Sequence, residues 1–108
     1  MDAFGLQDLV SRRAATGDAY LEFLRSSELS AGLYVLAAGA VDRQSPHTED
    51  EVYVVMRGRA RIGVGPEDAA VGPGSVVFVA AGVDHRFHDI EEELVVIVVF
   101  GPPEGSGG

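Results

Sequence analysis

The sequence lacks cysteine altogether among its 108 residues. Disulfide bonds, zinc sites built from thiolates and a cysteine nucleophile are therefore excluded together. A chain of this length suits one compact domain, and its stability must come from the burial of apolar side chains. Hydrophobic residues make up 46% of the chain, which is enough for an ordinary globular core.

Basic residues are also scarce. Eight Lys+Arg face seventeen Asp+Glu, which gives a formal net charge of −9. This charge repels polyanions and argues against nucleic acid or an anionic membrane surface as a partner. No apolar run approaches the roughly 20 residues that a membrane-spanning helix needs, and the basic start and apolar core of a signal peptide are missing. We therefore expect a cytoplasmic protein whose partner is a small molecule.

The N-terminal segment, residues 1–28, is expected to pack on the rest of the domain. Leu6, Leu9 and Val10 fall at helical spacing and predict a short helix that ends near Gly17. Residues 20–25 fit either a strand or a short helix, and the turn-like residues that follow them favour the strand.

From residue 29 onward, short apolar runs alternate with turns rich in glycine and proline, a pattern typical of an all-β sandwich or small barrel. The barrel is expected to span residues 29–101. Residues 102–108, which contain two prolines and end in Gly-Ser-Gly-Gly, predict a flexible tail. The strands are expected at residues 33–38, 52–56, 59–64, 69–71, 75–80, 84–90 and 94–100, with a turn at Arg57-Gly58.

The last of these runs, residues 94–100, is apolar on both faces. An antiparallel sheet ordinarily has one wetted face, so the outer face of this strand should be covered. The N-terminal segment or a second subunit would serve. Because the chain is small, we expect a homodimer.

Polar chemistry meets an apolar run at residues 45–58. His47 and Glu51 lie four residues apart, so in an extended strand both side chains, with that of Tyr53, point to the same face. An imidazole and a carboxylate on the inner face of a β-structure indicate either a costly burial or a metal site. His85 begins a later extended stretch in which Phe87 shares its parity, whereas His88 has the opposite parity and is expected to bond to an outer neighbour.

These residues resemble two motifs of the cupin family. The first motif is glycine, five residues, His-x-His, three or four residues, Glu, six residues and glycine. Its positions are filled here by Gly39, Ser45, His47, Glu51 and Gly58.

The second motif is glycine, five residues, proline, one residue, glycine, two residues, His, three residues and Asn. It corresponds to Gly74, Ala80, Gly82, His85 and Asp89. Serine thus replaces the first histidine, alanine the proline and aspartate the asparagine.

The resemblance implies a conical double-stranded β-helix, or jelly-roll barrel, that holds one divalent transition metal (Fe, Mn, Zn or Ni). Three histidines and one glutamate bind the metal in the full pattern. A serine hydroxyl is a poor ligand for such metals, so His47, Glu51 and His85 remain as the expected ligands. Glu49 has inward parity and is a candidate extra ligand. The residues expected to contact substrate or water are Ser45, Gln44, Tyr53 and Phe87.

Three functions follow from this assignment. The first is a metal-dependent enzyme that acts on a small oxygenated molecule, of a reaction type that the fold does not select. The second is a non-catalytic barrel that binds a sugar or organic acid for sensing, favoured by the missing histidine. The third is a purely structural barrel, which an exposed Glu51 would favour because burial without compensation is costly.

Overall fold

The computed structural model describes residues 1–106, in which one helix precedes six β-strands. No helix in this described part is long and apolar enough to cross a membrane. The elements are α1 (Leu6–Thr16), β1 (Tyr20–Arg25), β2 (Ser30–Leu36), β3 (Asp50–Val64), β4 (Glu67–Val71), β5 (Val76–Val79) and β6 (His85–Gly101).

The strands form one antiparallel sheet in the order β1-β2-β6-β3-β4, and β5 pairs with β3 outside this path. Strands β3 and β6 pair over almost their whole length, from Asp50 opposite Gly101 to Val64 opposite His85. The sheet curls around a core of side chains from both long strands. This is the all-β class that the strand pattern predicts, in the double-stranded β-helix form that the resemblance implies.

The two long strands differ from the prediction, which divided each of them into two shorter strands. Strand β3 passes through Arg57 and Gly58 without a turn, and its pairing with β6 shifts register between Val55 and Arg61. Gly58 has a φ of 89°, a conformation that costs glycine little. The glycine therefore serves a β-bulge that bends the strand, because β6 continues to pair on both sides of it.

The outer face of β2 and β6 is covered by helix α1. Leu9 is buried against Leu33, Val35 and Val95. The predicted helix ends at Gly17, which has a φ of 76° and donates its N–H to the carbonyl of Ala14. Of the two covers expected for the outer face of the last strand, the N-terminal segment lies over this part of it.

The residues after β6 fold back onto the barrel. Pro103 is buried, the N–H of Glu104 donates to Ser30 Oγ (2.9 Å), and the N–H of Gly105 donates to Glu49 Oε1 (3.1 Å). A segment that cannot form a packed element of its own thus finds acceptors on the barrel for its backbone. The expected flexible tail is fastened over residues 102–106, the C-terminal strap, and positions 107–108 lie outside the described residues.

Candidate metal centre and adjoining pocket

Glu51 and Tyr53 point into the barrel from the start of β3. Side chains alternate along this strand, and those of Glu51, Tyr53 and Val55 are buried, with Glu51 only 1% exposed. The parity argument from the sequence holds here because the strand begins at Asp50. The burial of Glu51 counts against a purely structural barrel unless something compensates its charge.

His85 is held in one orientation by its backbone neighbourhood. Its Nδ1 lies 2.9 Å from the carbonyl oxygen of Val83, so Nδ1 carries the proton and donates it. In the neutral ring, Nε2 then presents a lone pair 2.7 Å from Glu51 Oε1. This tautomer is the one that suits a metal ligand.

His47 reaches the same place from a loop. The carbonyl oxygen of His47 accepts the N–H of Gly82 (2.7 Å), which ties the loop to the turn before His85. The ring packs edge-on against Phe100 at a centroid distance of 4.9 Å, and Nε2 lies 3.8 Å from Glu51 Oε2. One hydrogen bond thus joins the two motif segments.

The three side chains fit a metal ion. His47, Glu51 and His85 offer ligand atoms that all lie within 4.8 Å of one another. Both carboxylate oxygens of Glu51 and Nε2 of His85 are buried without a hydrogen-bond partner, because the short approach of Nε2 and Oε1 lacks hydrogen-bond geometry. A buried carboxylate facing an imidazole lone pair needs a cation, either a proton or a metal. Two imidazoles and one carboxylate are common ligands of divalent transition metals.

The same environment acts on the protonation of His85. Burial lowers the pKa of the imidazole, but the adjacent Glu51 carboxylate and the Val83 carbonyl outweigh it, so the pKa is raised above its ordinary 6.5. The neighbours of the ring therefore favour a positive charge at this position.

Gln44 lies beside the three candidate ligands, and its orientation is fixed by Asp42. Asp42 is buried, and its Oδ2 accepts the Gln44 amide N–H (2.7 Å). The amide oxygen of Gln44 therefore faces inward, where it accepts the Tyr53 hydroxyl (3.0 Å) and lies 3.4 Å from His47 Nε2. This oxygen is a fourth candidate ligand atom for a metal, beside the three side chains of the centre. The sequence analysis missed Asp42, which has no motif position to mark it.

Ser45, Phe87 and Glu49 take other places. Ser45 is exposed, because residues 41–49 form a loop and strand parity does not apply to them. Phe87 packs against Tyr53 in the core at a centroid distance of 4.9 Å. Glu49 is buried, but its carboxylate binds the strap and the Thr48 hydroxyl and lies outside the three-residue cluster.

A pocket of about 160 Å³ adjoins the centre on the side of His47. The hydroxyl of Tyr20 is buried there without a partner, whereas that of Tyr34 donates to Asp42 Oδ1 (2.7 Å). Burial raises the pKa of both tyrosines and that of Glu104. Seven residues line the pocket: Tyr20, Tyr34, Gln44, His47, Val98, Phe100 and Glu104.

Three polar residues of this lining were not predicted from the sequence: Tyr20, Tyr34 and Glu104. Tyr20 and Tyr34 stand opposite each other on β1 and β2, a register that no local pattern reveals. Glu104 belongs to the strap, whose composition predicted a flexible tail.

Comparisons with known proteins agree with the fold. Uncharacterized protein SCO3923 of Streptomyces coelicolor is 57% identical over 104 residues, which cover 96% of this chain and 99% of that protein. The crystal structure of TT1209 from Thermus thermophilus is similar with a TM-score of 0.77 and 24% identity, over 95% of this chain and 99% of that one. The structure of the DMSP lyase DddQ from Ruegeria pomeroyi DSS-3 is similar with a TM-score of 0.69 and 22% identity, over 82% of this chain and 49% of that one.

The family comparison covers the barrel itself. The family model described as "Cupin domain" matches residues 32–100, which include both motifs and the candidate metal centre. The chain therefore belongs to the cupin family.

Proposed function

We propose that His47, Glu51 and His85 bind one divalent transition metal, Fe, Mn, Zn or Ni, and that the protein is an enzyme acting on a small oxygenated molecule. The observation that carries the proposal is the buried, unpartnered set of Glu51 oxygens and His85 Nε2. Leaving these atoms without a cation would cost several kcal/mol, on the order of the penalty for a buried unpaired charge. A metal ion removes that cost.

A bound metal would supply Lewis-acid chemistry, which polarises an oxygen atom of the substrate. Residues of the chain itself orient the groups around the metal. Val83 fixes the tautomer of His85, and Asp42 turns the Gln44 oxygen toward the centre. The substrate would enter from the pocket beside His47. The fold leaves the reaction type open, although a lyase such as DddQ is one of the enzymes built on it.

A non-catalytic binding protein is the second candidate. Burial raises the pKa of Tyr53, and its hydroxyl already donates to Gln44, so this group keeps its proton. The chain also contains no lysine that could act as a base. Because Tyr53 and Gln44 are engaged with each other, these two groups suit capture of a ligand better than proton transfer.

Metal analysis of the purified protein tests the first part of the proposal. We expect about one metal ion per chain in the wild type and in His88→Ala, which changes a histidine outside the cluster. His47→Ala and His85→Ala should lose the metal while retaining the β-rich circular dichroism spectrum. A wild-type protein that takes up no Fe, Mn, Zn or Ni, even when each is added, would refute the metal centre.

Recovery of a bound small molecule separates the two candidates. Chemical change of that molecule during incubation with metal-loaded protein supports the enzyme, and unchanged recovery supports the binding protein. The proposed setting is the cytoplasm, which cell fractionation would test.

A further inference from the structure

The charged side chains that line the pocket beside His47 limit which ligands it can bind. Its lining carries one carboxylate, Glu104, and no lysine or arginine among the described residues. A ligand that enters with a negative charge would meet repulsion from Glu104 and find no lysine or arginine in the lining to pair with it.

The hydroxyl of Tyr20 is the first recognition group. It is buried and has no hydrogen-bond partner in the described chain. Its ring is seated on the backbone of Gly32, where an added Cβ would lie 2.1 Å from the ring. Since a buried hydroxyl without a partner is costly, we expect it to bond to a ligand that packs against Tyr20, which lines the pocket.

Glu104 is the second recognition group, and the strap holds it in place. Its N–H is bonded to Ser30, and its carbonyl oxygen accepts Arg25 Nη2 (3.1 Å). These backbone contacts leave the side chain to line the pocket, with its carboxylate 3.7 Å from His47 Nδ1. A carboxylate at the wall accepts hydrogen bonds and cannot donate them when ionised.

We propose that this pocket binds a small ligand through a hydroxyl or ammonium group, which donates to Glu104 and bonds to the Tyr20 hydroxyl, and that it discriminates against carboxylates. The inference rests on the proposed function, because it names the class of molecule presented to the metal centre. The volume of about 160 Å³ equals that of about five waters at ≈ 30 Å³ each. Two ligand classes were expected from the sequence, a sugar and an organic acid. The lining of this pocket favours the hydroxyls of a sugar-like molecule over an organic acid.

Three probes with the same three-carbon skeleton test this selectivity: 1,2-propanediol, 1-amino-2-propanol and lactate. Each is titrated into the metal-free full chain, and amide shifts of the pocket residues are followed by NMR. The diol and the amino alcohol should shift the pocket resonances, and lactate should bind at least about tenfold more weakly, equivalent to 1.4 kcal/mol. Lactate binding as tightly as the diol would overturn the proposal.

Two substitutions assign the recognition groups. Glu104→Gln should abolish most of the discrimination against lactate, and Tyr20→Phe should weaken the diol by about 2- to 10-fold, the range for one lost hydrogen bond. Glu93→Gln is the matched control, because Glu93 is exposed and outside the pocket lining, and it should leave all three affinities unchanged. If neither pocket substitution alters the order of affinities, the assignment fails.

The metal-free titration separates this proposal from the proposed function. Selective binding of the diol by a protein that takes up no metal would leave the pocket established and refute the metal enzyme. A protein that binds metal at His47, Glu51 and His85 but shows no pocket shifts with the diol or the amino alcohol would refute the pocket alone.

Discussion

Glu51 is the side chain on which the metal assignment depends most directly. In Glu51→Gln the shape is kept and the buried charge is removed, and the amide can donate to the unpartnered Nε2 of His85. We expect this variant to be more stable than the wild type by about 1–3 kcal/mol when metal is removed, because a buried carboxylate without a hydrogen-bond partner has been replaced by a neutral amide.

With metal present the order should reverse, since the wild type gains stability from binding and the variant lacks the carboxylate ligand. Urea denaturation with chelator and with saturating metal measures both cases. A variant that is less stable than the wild type in chelator would show that Glu51 is compensated without a metal.

Gln44 is expected to contribute to metal affinity through its amide oxygen. Gln44→Leu should weaken binding by about 10- to 100-fold, the range seen when groups around a metal are lost. Asp42→Asn should act in the same direction, because the amide would lose the acceptor that fixes its orientation. Competition against a metal-sensitive dye gives the affinities. Ser45→Ala is the control and should have no effect, and an equal loss in this variant would contradict the assignment to Gln44.

His88 gives a pH-dependent prediction on the outer surface. Its Nε2 bonds to Asp68 and its Nδ1 to Asp89, which together raise the imidazole pKa above 6.5. The pKa of Asp68 is lowered below 3.8, chiefly by His88 and then by Arg61. The pair therefore stabilises the fold between these limits, and its contribution is lost as pH falls through the Asp68 pKa or rises through the His88 pKa.

An NMR titration of the His88 ring protons measures this effect. Asp68→Asn should shift the His88 midpoint toward 6.5, with Glu67→Gln on the same strand as the control. An unchanged midpoint in Asp68→Asn would rule out the pairing.

The residues around the candidate metal centre differ in how well the sequence predicts their positions. Glu51 and Tyr53 were placed correctly because they lie on a regular strand, where alternation fixes the direction of each side chain. Ser45 was expected to contact substrate or water, but it is exposed in a loop, where no period fixes the direction of a side chain. Gln44 takes the inner place because of its bond to Asp42, a tertiary contact that local spacing does not encode.

At the scale of elements, the bulge at Gly58 predicts a position-specific cost of substitution. An added Cβ there would lie 2.2 Å from the carbonyl oxygen of Glu93, and φ is 89°. Gly74 has a similar φ of 91° but no atom within 4 Å of an added Cβ. Gly74→Ala should therefore cost about 1–2 kcal/mol of backbone strain, and Gly58→Ala a further 1–3 kcal/mol from the clash. If urea denaturation gives the same loss of unfolding free energy for both variants, the β6 backbone must move to make room for the added Cβ.

This bulge also explains why the number of strands was wrong while the fold class was right. Glycine with positive φ occurs both in turns and in bulges, so Arg57-Gly58 fits either. Pairing with β6 decides between them, because β6 pairs with β3 on both sides of the glycine, from Arg57 opposite Val95 to Arg59 opposite Glu92. These partners are far from the glycine in sequence. Apolar runs between glycines are local and predict an all-β class, whereas their fusion into long strands depends on non-local pairing.

At the scale of the whole molecule, the apolar surface is only partly covered. Helix α1 buries the face around Leu33, Val35 and Val95. For the outer face of residues 94–100, which includes Val95, the expected cover was either the N-terminal segment or a second subunit. On β5, Val76 and Phe78 are 67% and 60% exposed. The exposed apolar surface that a second copy could cover therefore lies on β5 and not on the part of β6 beneath α1.

The homodimer stays a prediction, and it can be tested through this surface. We propose that a second copy covers Val76 and Phe78, because two large apolar side chains on one short strand are costly to leave in water. Light scattering at micromolar concentration should give twice the mass of the chain. Phe78→Glu should give the monomer mass, whereas Val41→Glu, at an exposed apolar residue in a loop and not on β5, should keep the dimer. A wild-type protein of monomer mass would show that this face is left exposed in solution, and a Phe78→Glu dimer would place the contact elsewhere.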